Sequence, residues 1–173
     1  MTKTTDTPKV YIADLAAYNA GYHRGIWIDA TDDLDTIRDD IQNMLEHSPV
    51  FGAGDYAIHD YEGFGGIRLS EHTGMADVVA LAEFLEEHPE FGAALLSYWD
   101  EDIHQATEAL EDYVGTYDTL ADFAQELTEE STMIPKHLEY YIDYDRMARD
   151  LEMSGDVYTL EGDGGQTHVF WSR

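Results

Sequence analysis

VYIADLAAYNAGYHRGIWID, residues 10–29, is the stretch on which the fold turns. Its first six residues, VYIADL, are rich in β-branched and aromatic side chains and read as a strand. AYNAGYHRG then supplies an Asn-Ala-Gly turn, and GIWID at 25–29 reads as a second strand. Downstream, the spacing of Leu34, Ile37, Ile41, Met44 and Leu45 predicts a helix over 32–46. Thr31 or Asp32 is placed to cap it, with Asp33 and Asp35 near the positive end of its dipole. DYAIHDYE at 55–62 reads as a third strand. A helix packed on a small antiparallel sheet is therefore expected, ending near Glu62.

The turn-rich GFGGIRLSEHTG, 63–74, reads as a connection. Two helices follow. One is expected over 75–87 with Val78, Val79, Leu81, Ala82 and Leu85 inside, and a second over 90–103 after Pro89. The last third returns to mixed structure. EDYVGTY at 111–117 reads as a strand or an irregular lead-in. A helix around 120–131 buries Leu120, Phe123, Ala124 and Leu127. Pro135 marks a helix start before KHLEYYI, and YDRMARDL at 144–151 is a further helix. VYTLEGDGGQTHVFW, 157–171, reads as a hairpin around Gly162 to Gly165. The fold class is α+β, in three small domains: 1–62 mixed, 63–107 all-helical, 108–173 mixed.

Composition excludes several function classes. An apolar fraction of 43%, with Tyr 12, Phe 6 and Trp 3, is enough for packed cores. Asp plus Glu number 37 against 9 for Lys plus Arg, a formal net charge of −28. Such a chain repels polyanions, so neither nucleic acid nor an anionic membrane is a direct partner. The absence of cysteine removes disulfides and thiolate chemistry. The opening MTKTTDTPK has no apolar segment like that of a signal peptide, and no apolar run is long enough to span a bilayer. A cytoplasmic location is expected.

The motifs of catalysis are weak or missing. No His pair brackets a Glu at helical zinc spacing. DATDDLDTIRDD, 29–40, resembles a calcium loop until its sixth position, where Leu34 replaces the required Gly. Asp143 with Asp145, or Asp100 with Asp102, could pair as acid and base, but among 37 acids such neighbours arise by chance. GDGG has no helix after it to make a phosphate cradle. His59 sits inside an alternating strand pattern and reads as structural. No catalytic residue, cofactor or metal is assigned.

The distribution of charge carries more information. Between Arg68 and Lys136 there is no Lys or Arg, yet the segment holds seventeen acids. They are Glu71, Asp77, Glu83, Glu86, Glu87, Glu90, Asp100, Glu101, Asp102, Glu108, Glu111, Asp112, Asp118, Asp122, Glu126, Glu129 and Glu130. Asp118, Asp122, Glu126 and Glu130 recur every four residues, so like charges stack along the helix expected there. Each such pair destabilises an isolated helix by roughly 0.2–0.5 kcal/mol. An ordinary solvated face mixes signs. Acids four apart recur every ~6 Å along a helix axis, and duplex DNA carries one charge per about 1.7 Å. The net charge equals that of roughly 14 base pairs, about 48 Å of duplex. The acids thus read as phosphate surrogates for a DNA-binding groove, met there by Arg and Lys forks. The candidate mimic surface is Asp32, Asp33, Asp35, Asp39 and Asp40 together with the acids of the basic-free segment from Asp77 to Glu130. Adaptation to a salt-rich cytoplasm, which also favours acids over lysine, is the competing reading. A metal-dependent hydrolase is the enzymatic one.

The chain resembles the ArdA antirestriction family over nearly its whole length. The resemblance is carried by VYIADLAAYNAG with GIWID, by YAIHDYEGF, by IPKHLEYYIDYDRMARDL and by the terminal HVFW. It implies a protein of mobile elements such as plasmids, conjugative transposons or prophages. That protein occupies the DNA-binding site of type I restriction–modification enzymes, blocking restriction and able to block modification too. The family plan implies an elongated three-domain chain, mixed, helical and mixed, forming a homodimer without catalysis. Tyr18, Asn19, Gly21, Tyr61 and Tyr141 are expected to shape turns and cores rather than touch the target.

Overall fold

The computed structural model describes residues 6–173. The first five residues of the segment read above as lacking a signal peptide lie outside them. The chain divides into two compact units, one ending at Ala93 and the other beginning at Ala94. Both are mixed α+β, each with a three-stranded antiparallel sheet.

The first unit runs β1 (Lys9–Asp14), α1 (Leu15–Asn19), β2 (Gly25–Asp29), α2 (Leu34–Glu46), β3 (Tyr56–Glu62) and α3 (Met75–Glu87). β1 is the central strand, paired with β2 on one side and β3 on the other. Its Val10 and Ile12 are fully buried, as the period-two pattern requires. The apolar stripe of α2, Ile37, Ile41, Met44 and Leu45, is buried as its spacing predicts. α2 lies against β1, β2 and α3. Gly25 begins β2 because a Cβ there would sit 2.4 Å from the Ile12 carbonyl oxygen.

Four local details differ from the sequence reading. The segment after β1 is not only a turn: Asp14 accepts from the Ala17 N–H at 3.1 Å and starts the short helix α1. Gly21, at φ 89°, then reverses the chain. The cap of α2 is Asp33, not Thr31 or Asp32, because Thr31 donates from both backbone and hydroxyl to Asp29. The β1–β3 register slips between Tyr11 and Ile12, pairing Asp60 with Tyr11 and Ile58 with Ile12. His59 is the bulged residue, exposed, its ring edge-on to Tyr18 at 4.8 Å. In α3, Phe84 is buried where the sequence reading placed Leu85, which is half-buried like Val79.

α4 (Gly92–Tyr98) leads into the second unit. There follow α5 (Ile103–Ala109), a 3-10 turn (Leu110–Asp112), β4 (Tyr113–Tyr117), α6 (Leu120–Ser131), a second 3-10 turn (Lys136–Tyr141), α7 (Tyr144–Met153), β5 (Val157–Glu161) and β6 (Thr167–Trp171). β6 is central, between β4 and β5. Phe123 of α6 packs with Val157 and Val169, and Val114, Leu120, Leu127 and Leu151 close around them. The helix expected over 90–103 ends early, as α4 at Tyr98, and a new helix, α5, starts at Ile103. Asp100 and Glu101 take left-handed φ values of 52° and 65°, and Asp102 caps the restart through the Gln105 N–H at 3.1 Å. Tyr141, expected to help shape the core, is 84% exposed, and Tyr18 is also exposed, whereas Tyr61 is half-buried against Phe64.

Candidate interaction surface

The surface is built from helices whose apolar sides are buried and whose remaining sides are acidic. On α2, Asp35, Asp39 and Asp40 are exposed while the apolar stripe faces inward. Asp32 is exposed before the helix. Asp33 is exposed too, but it accepts from the Thr36 hydroxyl at 2.6 Å and the Thr36 N–H at 3.0 Å. The Thr36 hydroxyl, followed by its backbone N–H, holds the Asp33 carboxyl below its ordinary range. On α3, Asp77, Glu83, Glu86 and Glu87 are exposed opposite Met75, Val78, Leu81 and Ala82, and Glu90 is exposed beyond the helix.

In the second unit Asp100, Glu101 and Asp102 form the turn between α4 and α5, all exposed. The Gln105 side-chain amide, then the Gln105 N–H, lowers the Asp102 carboxyl. Glu108 lies 3.7 Å from His104 Nδ1, an ion pair when that ring is protonated. Arg173 bridges the next two acids: Nη2 lies 3.0 Å from Glu111 Oε2 and Nε 2.7 Å from Asp112 Oδ2. Those two hydrogen bonds, Glu111 first, raise the guanidinium above its ordinary value.

α6 begins at Leu120, so Asp118 precedes it and the four-residue column expected there holds only Asp122, Glu126 and Glu130. Asp122 belongs to a capping box with Thr119. Glu126 accepts from the Tyr117 hydroxyl, and Gln125 donates to Glu129 at 3.0 Å. Burial first, then the Glu126 hydrogen bond and the charges of Glu126 and Glu130, pushes the Tyr117 hydroxyl up to about 12. Of the whole predicted set, from Asp32 to Glu130, every acid is exposed except Asp112, which is half-buried. The set divides between the two units: Asp32 to Glu90 in the first, Asp100 to Glu130 in the second.

Sequence reasoning, which took the acids of the basic-free segment and those of 32–40, left out α7. Its Asp145, Asp150 and Glu152 are also exposed, and α7 packs on α6. The signal was diluted by Arg146 and Arg149. Acid pairs proposed for catalysis have other duties: Asp143 caps α7 through the Arg146 N–H at 3.0 Å, and Asp102 caps α5. The Asp29–Asp40 stretch is a helix entry, with Asp29 and Asp33 engaged by threonines. Among the described residues no three His, Asp or Glu side chains come together as metal ligands, and no helix is long and apolar enough to cross a membrane.

Among curated proteins none matches the chain. The model of the family described as antirestriction protein (ArdA) matches residues 10–164, which takes in all the candidate acids and every strand but β6, with β1 entered at its second residue. The chain belongs to the ArdA family of antirestriction proteins.

Proposed function

We propose that this antirestriction protein is a DNA mimic that occupies the DNA-binding groove of type I restriction–modification enzymes. The observation that carries the reading is the exposure of the acids on capped helices whose other faces are buried. Carboxylates on mobile chains would lose ordering entropy on binding, whereas helix-borne ones are held in place beforehand. The groove's Arg and Lys would pair with these carboxylates instead of phosphates, and DNA would be displaced by competition. The action needs no catalysis and no cofactor, and it blocks modification as well as restriction. Each exposed pair contributes about 0–1 kcal/mol, so affinity comes from the sum and single losses are tolerated. The organisation into segments 1–62, 63–107 and 108–173, the homodimer, the cytoplasmic setting and carriage on a mobile element belong to the same proposal.

The test is competition between the purified protein and duplex DNA for a type I methyltransferase across a salt series. Displacement at low salt that weakens as salt rises is expected. No displacement at low salt rejects the proposal. Circular dichroism in the same buffers separates mimicry from salt adaptation: a mimic stays folded at low salt, a salt-adapted protein does not.

A further inference from the structure

We propose that the open edge of β2 in the first unit receives the extended C-terminal tail of a protein partner as a fourth strand, with the tail's terminal carboxylate on Arg24. β2 lies at the edge of its sheet and, among the described residues, pairs with β1 alone. The Asp14 N–H donates to the Arg24 carbonyl at 3.0 Å and the Ala30 N–H to the Pro8 carbonyl at 2.9 Å, one at each end of the strand pair. In an antiparallel ladder that phase turns the backbone groups of Ile26 and Ile28 toward β1 and those of Gly25 and Trp27 outward. Unpaired N–H and C=O groups along an edge are a template for an added strand. Beside them runs a groove of about 450 Å³, bounded by β2 from Arg24 to Trp27 and by Asp40, Asn43 and Met44 of α2. Ligand sites occupy about 300–1,000 Å³, so the groove has room for a side chain and the backbone that carries it.

Arg24 decides which end of a peptide fits. Its Nη2 donates to the Met44 carbonyl at 3.2 Å, in the last turn of α2, and its Nε is buried without a partner. Among the described residues no carboxylate pairs with it. Arg38, Lys136, Arg146 and Arg149 are exposed, so water serves them, whereas Arg24 is half-buried beside the groove. A charge withdrawn from water is costly until it is paired. A peptide antiparallel to β2, the more stable pairing, ends beside Gly25 and next to Arg24. Its free carboxylate then meets the guanidinium in a charge-assisted pair. Met44, buried, and Ile26, half-buried, give the groove an apolar wall for one side chain of the tail. The exposed Asp40 and the net charge of −28 disfavour further acids, so the tail is neutral or basic before its carboxylate. None of this chemistry depends on the mimic reading.

The probes are acetyl-Lys-Val-Thr-Val-X peptides with free C-termini, X being Ala, Val, Leu, Phe or Lys, and the corresponding C-terminal amides. Titrated into ¹⁵N-labelled protein at constant ionic strength, at least one free acid should shift the Gly25 and Trp27 amide signals saturably and slow their hydrogen exchange. Ile26 and Ile28, already paired with β1, should keep their exchange rates. The indoles of Trp99 and Trp171, in the second unit, should stay still. The free acid should bind about ten-fold more tightly than its amide. Arg24→Gln should erase that preference. Asn43→Trp, altered at an exposed position of α2, should fill the groove and abolish binding with the circular dichroism unchanged. No saturation by any free acid, equal affinity for acid and amide, or slowed exchange at another strand in place of β2 overturns the docking edge.

Discussion

Thr119 and Asp122 hold each other's backbone at the start of α6: the Thr119 hydroxyl accepts from the Asp122 N–H at 3.3 Å, and Asp122 Oδ2 accepts from the Thr119 N–H at 3.2 Å. The same Asp122 stands at the head of the acidic column. One carboxylate therefore both starts the helix and contributes to its negative face. Thr119→Ala breaks one half of this exchange. A loss of about 1 kcal/mol is expected, read as a lower midpoint in urea unfolding with an unchanged slope.

Glu126 and Glu130 lie one turn apart on α6 and repel. Glu130→Gln should raise stability by about 0.2–0.5 kcal/mol while changing DNA competition less than about five-fold. Neutralising Glu126, Glu129 and Glu130 together should weaken competition far more. Stability and competition thus move in opposite directions, measurable by thermal unfolding beside the methyltransferase assay. A triple variant that competes as well as the parent would remove α6 from the surface.

The Tyr117 hydroxyl titrates near 12 because the fold buries it and presents it to Glu126. An unfolded tyrosine titrates near 10. With the folded value raised, its contribution to stability is complete below pH 10 and is lost as pH climbs through about 12. Absorbance at the phenolate band should show Tyr117 titrating late, together with Tyr144 and Tyr158, whose hydroxyls desolvation also raises. Glu126→Gln should bring the Tyr117 midpoint down; an unaltered midpoint would mean that burial alone sets it.

Phe170 is fully buried in β6, with Tyr113 at 5.0 Å and Tyr158 at 5.1 Å. Phe170→Ala should cost about 3–5 kcal/mol, detectable by calorimetry. The neighbouring Tyr158 should then lose its stacked support.

Much of the fold was legible because its signals are local. Period-two runs gave β1, β2, β3 and the β5–β6 hairpin, and apolar spacing gave α2, α3, α6 and α7. The break at Asp100–Glu101 was not legible, since acids at left-handed φ carry no Gly or Pro mark. Nor was the choice of Asp33 over Asp32 as a cap, which depends on Thr31 turning back to Asp29.

For the candidate surface, sequence alone fixed the charge, the basic-free segment and the helical periodicity that turns most of its acids outward, because each is a property of residue order. Tertiary structure decided which acids also serve as caps, why Asp112 is drawn inward, and which aromatic rings meet around it. Tyr98, Tyr158 and Arg173 are far apart in the chain. Only the packing of strands and helices brings Arg173 to the Asp112 carboxylate and lays Tyr98 flat on Tyr158, and no pattern of neighbours along the sequence encodes those meetings.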